Sequence, residues 1–258
     1  MHLKRIEIFP IKSLDGTTVE VAGITPGGIL ENDRIYSIVD RDGKVVNGKR
    51  TAQVHELRCT FDNGIKEVRL SRNNDSPAQF PLDEPNRMNE WLSDFFGFPV
   101  SLRHDSDKGF PDDHIAFGPT IVSDASLREI QKWFPEVSLE SVRRRFRSNL
   151  EISGGEAFCE DALFGSPEEL KQFQIGPVKF LGHNPCQRCV VPTRDPENGQ
   201  AVADFQKKFM RLRQEHLPAW ANAQRFNHFY RFAVNTSIPS SEGGKRLKIG
   251  DALTLAPG

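Results

Sequence analysis

Apolar and polar residues alternate over much of the first hundred positions, which is the period of half-buried strands. The pattern predicts strands over residues 3–8 and 17–22 as a hairpin-like start. Two further strand pairs, 34–39 with 44–46 and 57–61 with 68–70, each flank a turn that contains glycine. We therefore expect the N-terminal part to be mainly β.

The rest of the chain is predicted to contain loops, helices and further strands. A polar loop is predicted over 73–84. Substrate choice would depend on this loop and on the segment 218–228. The predicted helices are 86–96, one that starts at Ser123 or Asp124, 138–146 and 201–212. The later predicted strands are 100–102, 150–152, 178–181 and a tail hairpin or bulged strand over 247–255.

A charged segment rich in glycine, proline and aspartate, residues 105–118, predicts the boundary between two domains. We place these domains at residues 1–108 and 109–258. The expected fold class is α+β, mainly β with peripheral helices.

Composition limits the classes of partner. The chain has 258 residues, a formal net charge of −1 and 27% charged residues of both signs, so we expect no nucleic-acid partner. No apolar run approaches the roughly 20 residues that span a bilayer, and no signal-peptide pattern opens the chain. We expect no membrane association and a cytoplasmic location. Four cysteines are too few for a disulfide scaffold, which is typical of a reducing compartment.

The candidate chemistry lies in residues 183–199, with the sequence HNPCQRCVVPTRDPENG. This segment holds two of the four cysteines, Cys186 and Cys189, with Arg188 between them. Two thiols at this spacing are typical of half a zinc site, of a redox dithiol, or of a reactive thiolate with a companion.

The neighbouring residues favour the thiolate without excluding the other interpretations. Zinc needs two more ligands, of which His183 is one candidate and the other is not evident. A redox dithiol normally opens a helix, whereas residues 190–193 are a β-branched run broken by proline that predicts a short strand. A thiolate gives Arg188 a role, because its charge lowers the pKa of a neighbouring thiol. Zinc and inert buried cysteines stay open.

Three motifs, in order, resemble one family. The cysteine segment and the upstream FRSNLEISG at residues 146–154 resemble the MOSC domain, the C-terminal domain of molybdenum-cofactor sulfurase. The opening IEIFPIKS at residues 6–13 resembles the start of the β-barrel domain that precedes MOSC in the amidoxime-reducing components and their bacterial relatives. The resemblance covers nearly the whole chain. It implies an N-terminal β-barrel-like domain followed by a MOSC β-barrel domain.

The resemblance also implies a molybdenum cofactor, Mo-molybdopterin, with Cys189 as the catalytic protein ligand to the metal. A soft thiolate suits a metal that is already bound by sulfur, and Cys186 is then a packed or supporting thiol. The anionic pterin phosphate needs charge-assisted donors. The positions expected to contact the cofactor are Lys12, Ser13, Arg34, Ser123, Arg147, Asn149 and Arg188.

Three of the predicted roles have simpler alternatives. Ser123 also suits a helix N-cap. Asp161, near an acidic segment of the family, is a candidate for proton delivery, with a surface carboxylate as the alternative. The three arginines at 143–145 are predicted to form the solvated face of a short helix.

The function that the resemblance implies is reduction of an N-hydroxylated small molecule, such as an amidoxime or a hydroxylamine, with release of water. We expect the electrons to come from a separate electron-transfer protein of the ferredoxin or cytochrome type, because the sequence has no cluster-binding cysteine run. One alternative is a non-enzymatic carrier of the cofactor or of sulfur for it. Another is a zinc-binding domain that uses His183, Cys186 and Cys189.

Overall fold

The computed structural model describes residues 1–72 and 75–255, in which the chain forms fifteen strands and four α-helices. The strands are β1 His2–Ile8, β2 Thr17–Val19, β3 Val21–Gly23, β4 Tyr36–Asp40, β5 Leu57–Phe61, β6 Glu67–Arg72, β7 Ala78–Pro81, β8 Val100–His104, β9 Ile121–Ser123, β10 Leu150–Ser153, β11 Lys171–Ile175, β12 Val178–Gln187, β13 Arg231–Ser237, β14 Arg246–Lys248 and β15 Leu253–Leu255. The helices are α1 Asn86–Phe96, α2 Asp124–Trp133, α3 Leu139–Phe146 and α4 Phe205–Glu215. The predicted mainly-β fold with peripheral helices is confirmed.

One sheet of eight strands runs in the order β15-β11-β12-β13-β9-β10-β1-β2. Its β1–β2 pair confirms the hairpin-like start, and β1 also pairs with β10, far along the chain. The ladder does not close on itself. However, a bridge between His2 and Ala252 and a bond from Leu3 N–H to Asp251 O at 2.8 Å join β1 to the segment before β15. The sheet is therefore barrel-like, although it is not a closed barrel.

The smaller sheets pair β14 with β3, β4 with β8, and β5 with β6 and β7. The helix α1 covers the N-terminal apolar cluster, into which it places Met88, Leu92 and Phe96 at helical spacing. Gly97 ends this helix in the left-handed conformation, at φ 74°. None of the helices among the described residues has the length and apolar character needed to cross a bilayer.

An aromatic cluster fixes the second set of helices against the large sheet. Phe146 of α3 lies 4.5 Å, between ring centres, from Phe232 of β13. Phe205 and Phe209 of α4 pack against Phe146 from another side. This packing holds the C-terminal end of α3 beside the start of β13, and both ends face the candidate site described below.

Several predicted elements differ from the observed ones. Strand β7 lies inside the predicted loop, whose residues 73 and 74 are outside the described residues, because Ala78–Pro81 pairs with β6. Residues 44–46 form only a bridge, between Val45 and Val39. The tail 247–255 is neither the predicted hairpin nor one bulged strand, because β14 pairs with β3 and β15 with β11. The run after the cysteines is a 3₁₀ turn at Val191–Thr193 and not a strand.

Candidate functional site

A cavity of about 690 Å³ lies where the turn after β1 meets the ends of β12 and α3 and the start of β13. Its volume is in the range of roughly 300–1,000 Å³ that is typical of small-molecule sites. Residues singled out from three separate sequence motifs converge on it. These lining residues are Lys12, Ser13, Arg34, Arg147, Cys186, Arg188 and Cys189.

The turn after β1 presents Lys12 and Ser13 to the cavity. Lys12 Nζ donates to the carbonyls of Phe110 and Pro111 at 2.9 and 3.0 Å and pairs with Asp112 at 3.0 Å. Desolvation raises the pKa of Asp112, but the charges of Arg34 and Lys12 outweigh it and lower that pKa to about 2. Asp112 is thus ionised at neutral pH and holds the lysine in place.

Arg34 is positioned by the buried carboxyl of its neighbour Asp33. Asp33 accepts the N–H of Phe9 at 2.8 Å and pairs with Arg34 Nη1 at 3.1 Å. Burial raises the pKa of Asp33, and the charge of Arg34 opposes that rise. Arg34 has a left-handed backbone conformation at this turn, with φ 52°, and its side chain lines the cavity.

Arg147 follows α3 in the left-handed conformation, with φ 51°, and its N–H donates to Arg143 O at 2.7 Å. Its guanidinium lies 4.1 Å from the centre of the Phe9 ring, and that of Arg34 lies 5.6 Å from the same ring. Burial and the charge of Arg34 both lower the pKa of Arg147. The more distant carboxylates of Asp15, Glu7 and Asp112 act in the opposite sense, but among the described residues none forms an ion pair with Arg147. The unpaired guanidinium favours a bound anion.

Asn149 does not line the cavity but joins the parts that do. Its Nδ2 donates to Glu7 O at 3.1 Å and to Asp33 Oδ1 at 3.0 Å, and its Oδ1 accepts the N–H of Thr120 at 3.2 Å. Both N–H groups and the oxygen of the Asn149 amide are thus bonded to other groups of the protein. Asn149 therefore positions Asp33, and through it Arg34, and is not placed to contact a ligand directly.

The cysteine turn places both thiols at the cavity. Cys186 ends the irregular part of β12, and its Sγ accepts a bond from Arg188 Nη1 at 3.2 Å. Arg188 Nη2 also donates to Phe146 O, which ties the turn to α3. Within the described residues no hydrogen-bond donor reaches Cys189 Sγ. Arg188 thus supports the sulfur of Cys186, and the sulfur of Cys189 is the one available to a ligand.

The arginines at 143–145 do not form a solvated face, contrary to the prediction. Arg145 is 3% exposed, and its guanidinium donates to Pro192 O at 3.1 Å and to Asp195 Oδ2 at 3.3 Å. Arg144 pairs with Asp15 at 3.2 Å and with Glu197. The two side chains fasten the segment that follows the cysteines to α3, and this is why both line the cavity.

Positive charge dominates the lining. Of the described residues, eleven lysines and arginines line the cavity against three aspartates, in a chain of net charge −1. His55 also lines it, but burial and the charge of Arg194 lower the pKa of His55 to about 4, so it is neutral at pH 7. Sequence reasoning did not single out Arg194, although it lies in the segment 183–199, and it missed Arg225 and Arg231, which lie outside the three motifs. Only Arg225, within the segment 218–228, falls where a lining loop was expected.

Two predicted site residues lie elsewhere. Ser123 caps α2, where its hydroxyl accepts the N–H of Ser126 at 3.0 Å. Asp161 is 4% exposed and pairs with the buried Arg213 of α4, so neither alternative for it, surface carboxylate or proton donor to this cavity, fits its position. Neither residue lines the cavity.

The ligand set that zinc would need is not assembled. His183 lies on the opposite face of β12 from Cys186, and its Nε2 hydrogen-bonds Ser237 Oγ at 2.7 Å. Over residues 1–72 and 75–255, no group of three or more His, Cys, Asp or Glu side chains is close enough to hold a metal ion. A metal at Cys189 therefore needs ligands from outside the chain, as a pterin dithiolene would supply.

Comparison with known proteins points to the same chemistry. Residues 1–137 match the MOSC N-terminal beta barrel domain, and residues 117–254 match the MOSC domain. The molybdenum cofactor sulfurase of Drosophila melanogaster is 25% identical over 252 residues, which is 81% of this chain and 31% of that protein. The chain spans about a third of the length of the sulfurases that it matches.

Two amidoxime-reducing proteins are matched over more of their length. The human mitochondrial amidoxime-reducing component 1 is 23% identical over 231 residues, covering 74% of this chain and 66% of that protein. The mitochondrial amidoxime reducing component 2 of Bos taurus is 25% identical over 288 residues, covering 95% of this chain and 80% of that protein.

Proposed function

The chain belongs to the MOSC family, with an N-terminal MOSC β-barrel domain followed by a MOSC domain, and from this we propose that it is a molybdenum-cofactor-dependent reductase of N-hydroxylated compounds. The proposed reaction takes a hydroxylamine or amidoxime, two electrons and two protons to the corresponding amine or amidine and water. A separate electron-transfer protein would supply the electrons.

The residues of the cavity fit the cofactor. Its phosphate is an anion, and the wall offers the unpaired guanidinium of Arg147 beside Arg34, with Lys12 and Ser13 on the neighbouring turn. The metal would take the sulfur of Cys189, whose Sγ has no donor among the described residues. When bound, the cofactor would supply the two-electron chemistry that removes the oxygen atom.

The chain's own residues hold and shield this site. Asp33 and Asn149 fix Arg34, and Arg188 holds the sulfur of Cys186. Phe9, under the two guanidinium groups, keeps water from one side of them. The wall thereby stays preorganised for an anion. The observation that carries the proposal is the convergence of Cys189 and Arg147, from separate motifs, on one cavity.

Activity with an artificial electron donor tests this proposal. Protein expressed in a host that makes the cofactor is assayed with benzamidoxime and reduced methyl viologen. We expect formation of benzamidine by the native protein and by the matched control Cys186→Ala, and a loss of at least a hundredfold in Cys189→Ala. A cofactor-loaded native protein that reduces neither benzamidoxime nor a hydroxylamine would contradict the proposal.

A second candidate is a non-enzymatic carrier of the cofactor or of sulfur for it. The match to the molybdenum cofactor sulfurases is the observation that favours it. Such a carrier would transfer its cofactor to an apo-enzyme within minutes of mixing. A cofactor that stays on the protein during overnight incubation with apo-enzyme in the same solution would rule out the cofactor carrier, and failure to transfer labelled sulfur to that enzyme would rule out the sulfur carrier.

A further inference from the structure

Two arginines missed by the sequence analysis, Arg225 and Arg231, attach to the backbone of β12 just before Cys186. Arg231 Nη1 donates to Pro185 O at 2.8 Å, and Arg225 Nη2 donates to His183 O. These two carbonyls are two residues apart, in the irregular part of β12. Both arginines line the cavity on its β12 side.

Neutral groups alone satisfy these two side chains. Arg225 also donates to Ser166 O at 3.2 Å, and the other donors of Arg231 go to Asn227 Oδ1 at 2.7 and 3.3 Å. Neither forms an ion pair with a carboxylate of the described residues. Carbonyl oxygens fix the position of a guanidinium without cancelling its charge, and the two positive charges stay available to a ligand.

Asp113 also lines the cavity but forms no ion pair with either arginine among the described residues. Its Oδ1 accepts the N–H groups of Ile115 and Ala116 at 2.8 and 3.0 Å. Burial lowers the pKa of both arginines; for Arg231 the charge of Cys186 opposes this effect and the charge of Arg225 adds to it. A bound anion would stabilise the charged form of both guanidinium groups.

This pair is distinct from the cations assigned to the cofactor phosphate. Lys12, Arg34 and Arg147 stand on the turns beside β1 and at the end of α3. Arg225 and Arg231 are held on the carbonyls of His183 and Pro185, whereas Arg34 is held by Asp33 and Lys12 by Asp112. The cavity thus has a second cationic group, attached to β12 just before the cysteine turn.

Resting on the function proposed above, we propose that Arg225 and Arg231 bind the anionic substituent of the substrate. The preferred substrates are then N-hydroxylated compounds that also carry a carboxylate or a phosphate group. Planar guanidinium groups match either anion through paired N–H donors. The position beside Cys186 would orient the N–OH end of such a substrate toward Cys189.

Equilibrium binding without turnover tests this subsite. Benzamidoxime, 4-carboxybenzamidoxime and benzamidoxime 4-phosphate are titrated by calorimetry into the cofactor-loaded protein with no electron donor present. We expect at least one anionic probe to bind about tenfold more tightly than the neutral one, with a preference that weakens as salt rises. The tighter of the two anionic probes identifies the group that the subsite accepts.

Variants test whether the anion preference comes from the charges of the two arginines and not from loop structure or cofactor content. The double variant Arg225→Gln/Arg231→Gln should lose the preference, and Arg225→Lys/Arg231→Lys should keep most of it. The exposed Arg211→Gln on α4, which loses only a surface pair with Glu215, should match the native protein. Molybdenum and pterin contents are measured in every sample and should be equal.

Three results would overturn the subsite: no anion preference in the native protein, a preference unchanged in the glutamine pair, or loss of cofactor from that pair. The last would show that these arginines hold the cofactor itself. Reduction of the same probes is measured separately with reduced methyl viologen. An anion preference without any reduction would refute the proposed reaction and leave the subsite standing.

Discussion

Replacing Asn149 by alanine should lower the free energy of unfolding by about 3 kcal/mol and loosen Arg34 at the cavity wall. The side chain is 1% exposed and makes four hydrogen bonds. It donates to Glu7 O and to Asp33 Oδ1 and accepts the N–H of Thr120, and the Thr120 hydroxyl adds a weaker bond at 3.4 Å. Two bonds to backbone groups contribute about 1 kcal/mol each, and the bond to the buried carboxyl contributes about 1.5 kcal/mol. Partial relaxation brings the expected loss slightly below the sum of these values.

Urea denaturation of the cofactor-free protein at pH 7 measures this change. The matched control is Asn198→Ala, at an exposed residue whose side chain only accepts the N–H of Gln200, at 2.9 Å. It should cost about 0.5 kcal/mol. In a cofactor-producing host, Asn149→Ala should also retain less pterin than the control. A loss below about 1 kcal/mol, or equal to that of the control, would refute the role assigned to Asn149.

Two further substitutions test the role of Arg147 in cofactor binding and the effect of pH on stability through Glu160. Arg147→Met removes a half-buried charge that has no ion-pair partner, so the free energy of unfolding of the cofactor-free protein should stay the same or rise by up to about 1 kcal/mol, while pterin content falls; a clear loss of stability would mean that Arg147 is structural. Burial and the charge of Asp161 raise the pKa of the 1% exposed Glu160 from 4.5 to about 7. Its contribution to stability is therefore full below pH 4.5 and is lost as pH rises through 7. Glu160→Gln should gain about 3 kcal/mol relative to the native protein between pH 4.5 and 8, and a difference between the two proteins that does not change with pH would contradict this.

The elements that sequence predicted well are those with strong local signals. The bounds of α1 are those expected, because Met88, Leu92 and Phe96 repeat at helical spacing and Gly97 stops the helix. The missed strand, Ala78–Pro81, is short and exists through its pairing with β6. That pairing depends on the tertiary fold, which a local pattern does not contain.

The turn after the cysteines shows how local chemistry can override propensity. Val190 and Val191 favour a strand, but Pro192 lacks an N–H and Thr193 Oγ1 donates to Val190 O at 2.7 Å. The chain therefore folds into a 3₁₀ turn and returns Arg194 to the cavity.

The site residues also fall into those that local sequence predicts and those that depend on the tertiary fold. Lys12, Arg147 and Cys189 lie in motifs, and sequence alone selected them. The positions of Arg225 and Arg231 follow instead from the pairing of β13 with β12, to which their side chains are attached. The structure therefore adds one side of the cavity that no motif predicts.

Metal and pterin content tests the central claim most directly. The native protein, Cys189→Ala and Cys186→Ala are expressed in a host that synthesises the molybdenum cofactor, and molybdenum, zinc and pterin are quantified in each. We predict near-stoichiometric molybdenum and pterin in the native protein and in Cys186→Ala, with metal lost from Cys189→Ala or one sulfur ligand fewer in its X-ray absorption spectrum. Zinc or no metal in the native protein, or molybdenum with unchanged sulfur coordination in Cys189→Ala, would contradict the account.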